Sequence, residues 1–229
     1  MIRTIDVAGI RLDNYTVREA IMNLERDMSD HGFHTIEEVN TELLMLAGND
    51  EAVRVALMTM EHTVISETGI LEAVGSLNYQ RKHEIEHHDF FYELMRRIER
   101  GHKSVYLIGD VQSRMDFIKQ RILELYPRSV FVGETALEAW DGAMDAVVNE
   151  INASTPDVVI SILPSPMQEH FLLENKDKLS ANLWYGMGTM EFSDTKKGIL
   201  SVLQGLIRKN KLKKRIHSYS EEQEAEKVE

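Results

Sequence analysis

The chain has 229 residues, enough for one large α/β domain or two small ones. Its 43% hydrophobic and 28% charged residues are ordinary for a soluble globular protein, while a net charge of −12 argues against a general nucleic-acid binder. With no cysteine there is no disulfide and no thiol or cysteine–metal chemistry, and no apolar run reaches the roughly eighteen residues that a bilayer span needs.

Ile2 to Val7 and Ile10 to Leu12, joined at Ala8-Gly9, read as a small N-terminal hairpin. The same stretch lacks the apolar core of a secretion signal, so a cytoplasmic location is expected. Thr16-Val-Arg-Glu19 is a capping box that starts a helix running to about Met28. A strand from Phe33 to Val39 ends at Asn40-Thr41, which caps a helix through Leu46. A helix over Glu51 to Met60, a strand over Thr63 to Ser66 and a turn at Glu67-Thr68-Gly69 lead to a helix from Ile70 to about Leu77. The polar stretch from Asn78 to His88 has no period and reads as a loop, after which Asp89 caps a helix closed by Gly101.

From there strands and helices alternate. Ser104 to Ile108 ends at Gly109-Asp110, and a helix follows over Val111 to Leu125. Val130 to Val132 is the next strand and Ala136 to Ile151 the next helix. Asp157 to Leu163 is a short apolar run between turn signals, a buried strand, and Met167 opens a helix to about Leu179. The strand Asn182 to Tyr185 ends in Gly186-Met-Gly188, and a last helix runs from about Lys196 towards Arg215. This alternation predicts an α/β fold, a doubly wound, mostly parallel sheet with right-handed crossovers, in a single domain over 1–215. Residues 216–229 are acidic and coreless and read as a disordered tail.

A parallel sheet binds ligands outside the carboxyl ends of its strands. Small or polar residues stand at five of those ends: Asn40, Glu67-Thr68-Gly69, Gly109-Asp110, Pro164 to Glu169, and Gly186-Met-Gly188. Gln168 and Glu169 fall in a first helical turn, where free N–H groups favour anionic ligand groups. The plainer reading of each glycine is a turn, and of Pro164 to Glu169 an ordinary strand–helix joint. The chain has no GxxxxGK[ST] and no GxSxG, and its GxG is incomplete as a dinucleotide fingerprint. His83-Glu-Ile-Glu-His87 fits the zinc-protease pattern HExxH. The solvated-loop reading is preferred there, because Ile85 is the one apolar residue between Tyr79 and Phe90 and no third ligand stands at the metzincin spacing. Six of the eight residues from Arg208 to Arg215 are basic, which suits either a solvated helix end or a phosphate-bearing or membrane-surface partner.

Taken together, several stretches resemble the WecB/TagA/CpsF (WecG/TagA/CpsF) family of bacterial glycosyltransferases, over about Ile2 to Phe192. They are VNTELLMLAGNDE (39–51), TVISETGILEA (63–73), SVYLIGD (104–110), ASTPDVVISILPSPMQEHFLLENKDKL (153–179) and WYGMGTMEF (184–192). The Pro-x-Gln-Glu turn at Pro166 to Glu169 is the most specific of them. The resemblance implies a Rossmann-like fold and an inverting, metal-independent transfer that needs no cofactor. The transfer takes an N-acetylmannosamine-type sugar from a UDP donor to a lipid-linked acceptor in cell-wall or surface-polysaccharide synthesis, at the inner membrane face. It makes Asn40 and Gln168 substrate-binding residues, with Gly69, Gly109, Glu169, Gly186 and Gly188 beside them, and leaves a homo-oligomer open.

The sequence also departs from the family pattern. The family's proposed catalytic Asp, in an Asp-Gly pair, is Thr68 here, which is no base near neutral pH; Glu67 beside it is the substitute. The family's Thr two positions before the Asn is Glu38, and its Arg-Val-x-Gly-x-Asp loop has become Glu84-Ile-Glu-His-His-Asp89. The C-terminal Arg-Ala-Pro segment is absent, and Lys209, Lys211 and Arg215 are the nearby charges. Three readings therefore stand: an active UDP-sugar transferase using Glu67, a degenerate member that binds a nucleotide sugar or a partner protein without turnover, and a zinc hydrolase on His83 and His87.

Overall fold

The first turn of the chain shows how locally the fold is specified. Ala8 and Gly9 both take positive φ, which folds β1 (Thr4–Val7) back antiparallel on β2 (Ile10–Asp13), and Asp6 Oδ1 accepts the Gly9 N–H. A computed structural model describes residues 4–30, 32–139, 144–188 and 210–221. The hairpin is tied to the rest by a reciprocal pair: Asp13 N–H donates to Thr63 Oγ1 at 2.7 Å, and Thr63 N–H to Asp13 Oδ2 at 3.1 Å.

The elements that follow are α1 (Val17–Asp27), β3 (His34–Val39), α2 (Thr41–Ala47), α3 (Glu51–Met58), β4 (His62–Ile65) and α4 (Thr68–Ala73). Next come α5 (Tyr79–Glu86), α6 (Asp89–Arg100), β5 (Ser104–Gly109), α7 (Gln112–Leu125) and β6 (Val130–Ala136). The chain then forms α8 (Met144–Ala153), β7 (Val158–Ser161), α9 (Met167–Asn175) and β8 (Leu183–Gly186). A further helix, α10, covers 210–221. The capping box at Thr16 and Glu19 forms as the sequence predicts.

Among the described residues six strands form one wholly parallel sheet in the order β4-β3-β8-β7-β5-β6. The chain winds outward from β3 to β4 on one side and from β5 to β6 on the other. Strands β7 and β8 then fill the centre, so the carboxyl ends of β3, β8, β7 and β5 lie side by side. Helices cover both faces. Ile36, Leu107, Ile160 and Tyr185 pack with α1, α6 and α7, while Tyr106, Ile108, Val159 and Trp184 pack with α8 and α9. A third cluster joins the hairpin, Val39 and Ile65 to α2, α3 and α4, and Leu212 of α10 is buried in it. Burying such a side chain is worth roughly 1.5–3 kcal/mol and helps to hold α10 against the domain.

Several boundaries differ from the sequence expectation. The loop expected over Asn78 to His88 is a helix: Asn78 Oδ1 accepts the Arg81 N–H, and Arg81 and Ile85, one turn apart, are its buried side. A buried arginine does not register in an apolar period, so the pattern was invisible. Asp89 lies inside α6, and the preceding residue, His88, is left-handed. Strand β6 runs on to Ala136, past the expected end at Val132. Its Gly133 lies under the Tyr106 ring, where a Cβ would come within 2.4 Å of the ring, and the strand passes through that contact instead of turning. The stretch from Leu137 to Ala139, expected as the start of the next helix, is a 3-10 turn, and α8 is described from Met144, residues 140–143 lying outside the described residues. Helix α4 starts at Thr68 and stops at Ala73, before the expected Leu77. Helix α9 ends at Asn175 and continues as a 3-10 turn over Lys176–Lys178. Helix α10 continues six residues past 215, into the stretch read as a tail, because Ile216 packs against the third cluster. The start of that last helix, Lys209, and Thr189 to Phe192 lie outside the described residues.

Candidate functional site

At the carboxyl end of β3, Asn40 leaves the strand in extended conformation and its Oδ1 accepts the Leu43 N–H at 2.8 Å, capping α2. Across the neighbouring strand end, Glu67 reaches the same place. Its Oε2 accepts from Thr41 N–H at 3.2 Å and from Thr41 Oγ1–H at 2.5 Å. The carboxylate thus ties the end of β4 to the end of β3. Both bonds fall on Oε2, which leaves Oε1 for another donor. Thr68 is the first helical residue of α4, and a Cβ on Gly69 would meet nothing within 4 Å, so this turn opens onto free space.

Behind that rim lies a layer of buried polar groups. Strand β3 carries adjacent acids, Glu37 and Glu38, which alternate to opposite faces of the sheet. Glu37 accepts from the amide nitrogen of Gln168, and Glu38 accepts from the Tyr185 hydroxyl. Burial, the neighbouring Glu169 and Glu38 push Glu37 well above the usual carboxylate range. Burial pushes Glu38 up to about 8, against the lowering effect of the Tyr185 bond. Glu169 is raised by burial too, and its Oε1 accepts from Ser165 Oγ–H at 2.6 Å. One oxygen each of Glu37, Glu169 and Gln168 has no hydrogen-bond partner. Gly186 makes this layer possible, since a Cβ there would lie 2.1 Å from Glu37 Oε2 and 2.9 Å from Gln168 Nε2.

The Pro-x-Gln-Glu turn is therefore built differently from the sequence expectation. Gln168 and Glu169 are each 0% exposed, turned inward onto the sheet instead of outward from the first helical turn. The turn includes a cis Ser165–Pro166 bond. Gly188, with φ of +57°, stands at the layer's edge, its Cβ position 3.9 Å from Gln168 Nε2. Its carbonyl accepts from Arg114 Nη2–H at 2.7 Å, and Arg114 Nη1–H donates to Asp110 at 3.3 Å. Gly109 serves packing, with a Cβ position 2.6 Å from the Met115 side chain and 2.9 Å from Ile162.

The structure thus gathers Asn40, Glu67, Thr68 and Gly69 at one end of the sheet's carboxyl edge and Gln168, Gly186 and Gly188 near its centre. Sequence reasoning missed Glu37, Tyr185 and Arg114. The signal for the first was present in Ile36-Glu-Glu-Val39, two adjacent acids flanked by apolar residues within a strand.

His83 and His87 do share a helical face, as the HExxH spacing requires. Their rings stack 4.1 Å apart at 14°, His87 Nδ1 lies 2.9 Å from the His83 carbonyl oxygen, and His83 Nδ1 lies 3.4 Å from Asp89. Stacked imidazoles send their in-plane lone pairs along parallel lines, not to one point. Among the described residues no group of three or more His, Asp or Glu could hold a metal ion. Glu84 is paired with Arg81 at 2.6 Å, and Arg81 Nε–H also donates to Asn14. Glu84 and Asp89 line a groove of about 600 Å³ beside α1 and α6 that contains none of the strand-end residues.

Comparison with known proteins agrees with this architecture. The family described as "Glycosyl transferase WecG/TagA/CpsF family" matches residues 5–191. Similar curated proteins are the N-acetylglucosaminyldiphosphoundecaprenol N-acetyl-beta-D-mannosaminyltransferases of Staphylococcus aureus strains NCTC 8325 / PS 47, COL and MRSA252. Each is 21% identical over 189 residues, covering 80% of this chain and 72% of the relative.

Proposed function

Since the chain belongs to the WecG/TagA/CpsF family of glycosyl transferases, we propose that it transfers an N-acetylhexosamine of the mannosamine type from a UDP donor to a lipid-linked acceptor. The observation that carries this reading is the placement of Glu67 at the rim: a carboxylate fixed through Oε2 by Thr41, with Oε1 unused and open space beside Gly69. In the step proposed, the acceptor hydroxyl oxygen attacks the anomeric carbon and gives its proton to Glu67 Oε1. The bond from the anomeric carbon to the diphosphate oxygen breaks, and UDP leaves with that electron pair.

Calorimetric titration of the protein with UDP and a panel of UDP-N-acetylhexosamines tests the reading. Micromolar binding, weakened when Gln168→Ala removes the amide that holds Glu37, is the expected result. No heat with any nucleotide would sink it. A second reading, binding without turnover, is favoured by Thr68 in place of the family's Asp and by the Glu84–Arg81 pair in place of its loop Arg.

The lipid-linked acceptor places the reaction at a membrane surface, and no helix among the described residues is long and apolar enough to cross one. Helix α10 supplies a surface contact in this reading. Leu212, Arg215, Ile216 and Tyr219 form its protein side, while Lys211, Lys213 and Lys214 are exposed. Each such cation near an anionic leaflet is worth about 1 kcal/mol. The protein is expected to float with vesicles containing anionic lipid and to lose roughly 100-fold in binding when all three lysines become Gln. Flotation indifferent to lipid charge would count against this contact.

A further inference from the structure

We propose that Arg114 binds the diphosphate of the nucleotide donor, supplying positive charge from α7 at the carboxyl edge of the sheet. The inference rests on the UDP-donor reading above.

A departing diphosphate needs donors aimed at its growing negative charge, and in a chain of net charge −12 a phosphate is otherwise repelled. Arg81 cannot help, because it is held by Glu84 beside a groove that contains none of the strand-end residues. Among the described residues, three other cations are committed away from this edge. Lys103 pairs with Asp157 at the amino edge of the sheet, Lys119 with Glu134 on the edge strand, and Arg128 with Glu99.

Arg114 is differently placed. Its guanidinium touches residues that follow two strands of the sheet, Asp110 after β5 and Gly188 after β8, and those strands flank β7, whose own end is the Pro-x-Gln-Glu turn. The Gly188 carbonyl fixes the plane of the guanidinium at 2.7 Å. Those two bonds leave three of the five N–H donors of an arginine for another acceptor among the described residues, and the side chain is 27% exposed. A guanidinium held by one edge and open at the other matches the bidentate geometry of phosphate oxygens. Gly188, left-handed and lacking a side chain, lets backbone and ligand approach beside it.

The test is titration of the wild type, Arg114→Gln and Arg114→Lys with UDP and with uridine, with a thermal melt of each. The expected result is a 10- to 100-fold loss of UDP affinity in Arg114→Gln (about 1.4–2.7 kcal/mol), unchanged uridine affinity, and partial recovery in Arg114→Lys, which keeps the charge without the fork. UDP affinity equal to wild type in Arg114→Gln overturns the assignment and leaves the donor reading standing. A parallel loss of UDP and uridine also overturns it, because that is the signature of a residue that only props Gly188. Should Arg114→Gln not fold, Arg114→Lys decides alone, and a UDP-to-uridine affinity ratio equal to that of the wild type refutes the contact. Wild-type protein that binds no UDP removes both the assignment and the reading beneath it.

Discussion

Glu67→Gln is expected to lower sugar transfer by about 10²–10⁴-fold, the range by which a positioned general base accelerates proton transfer. The substitution is nearly isosteric and leaves an oxygen to accept from Thr41, so the tie between the ends of β3 and β4 survives. What it removes is the charge, and with it the capacity to take the acceptor's proton. The loss of a carboxylate beside the first turn of α2 costs stability by only about 0.3–1 kcal/mol. Initial rates with UDP-N-acetylmannosamine and a lipid-linked acceptor, set beside urea unfolding midpoints, separate the two effects. Transfer that continues at the wild-type rate would show that Glu67 is not the base.

Glu38→Gln is expected to stabilise the protein in alkali by about 3–5 kcal/mol while changing little near pH 4.5. The sign follows from the position of the proton. Burial raises Glu38 from 4.5 in the free side chain to about 8 in the fold, so between those values the folded chain holds a proton that the unfolded chain releases. Its stabilising contribution is complete below pH 4.5 and is lost as pH rises through 8. A glutamine stays neutral throughout and its carbonyl still accepts from Tyr185. Urea unfolding at pH 5, 7 and 9 should show the wild type weakening more steeply than the variant. Some slope remains in the variant because Glu37 is raised as well. Parallel curves would mean that Glu38 is already ionised in the fold at neutral pH.

The doubly wound sheet was legible because its strands are short apolar runs bounded by turn residues, and Val158–Ser161 is the plainest of them. The strand ends were legible for the same reason, since glycine and asparagine mark where a strand stops. Side-chain direction was not. Gln168 and Glu169 sit where the motif predicts, yet their inward turn depends on Gly186, a residue of a different strand that becomes a neighbour only through the sheet order. Arg114 escaped notice because nothing local distinguishes it from any other arginine on a helix; its meaning comes from Gly188, 74 positions later. Helix α5 escaped because its buried face is made of Arg81 and Ile85.

That Arg81–Glu84 pair binds two positions into one unit of change. The pair is nearly closed to solvent, with side-chain exposures of 6% and 11%. Glu84→Arg alone would remove the carboxylate that pairs with Arg81 and set two guanidiniums against each other. Breaking a buried pair in this way costs about 3–5 kcal/mol, a large part of the stability of an ordinary domain. The charge at position 84 can therefore be reversed at low cost only if position 81 changes with it, so the two residues act as one site.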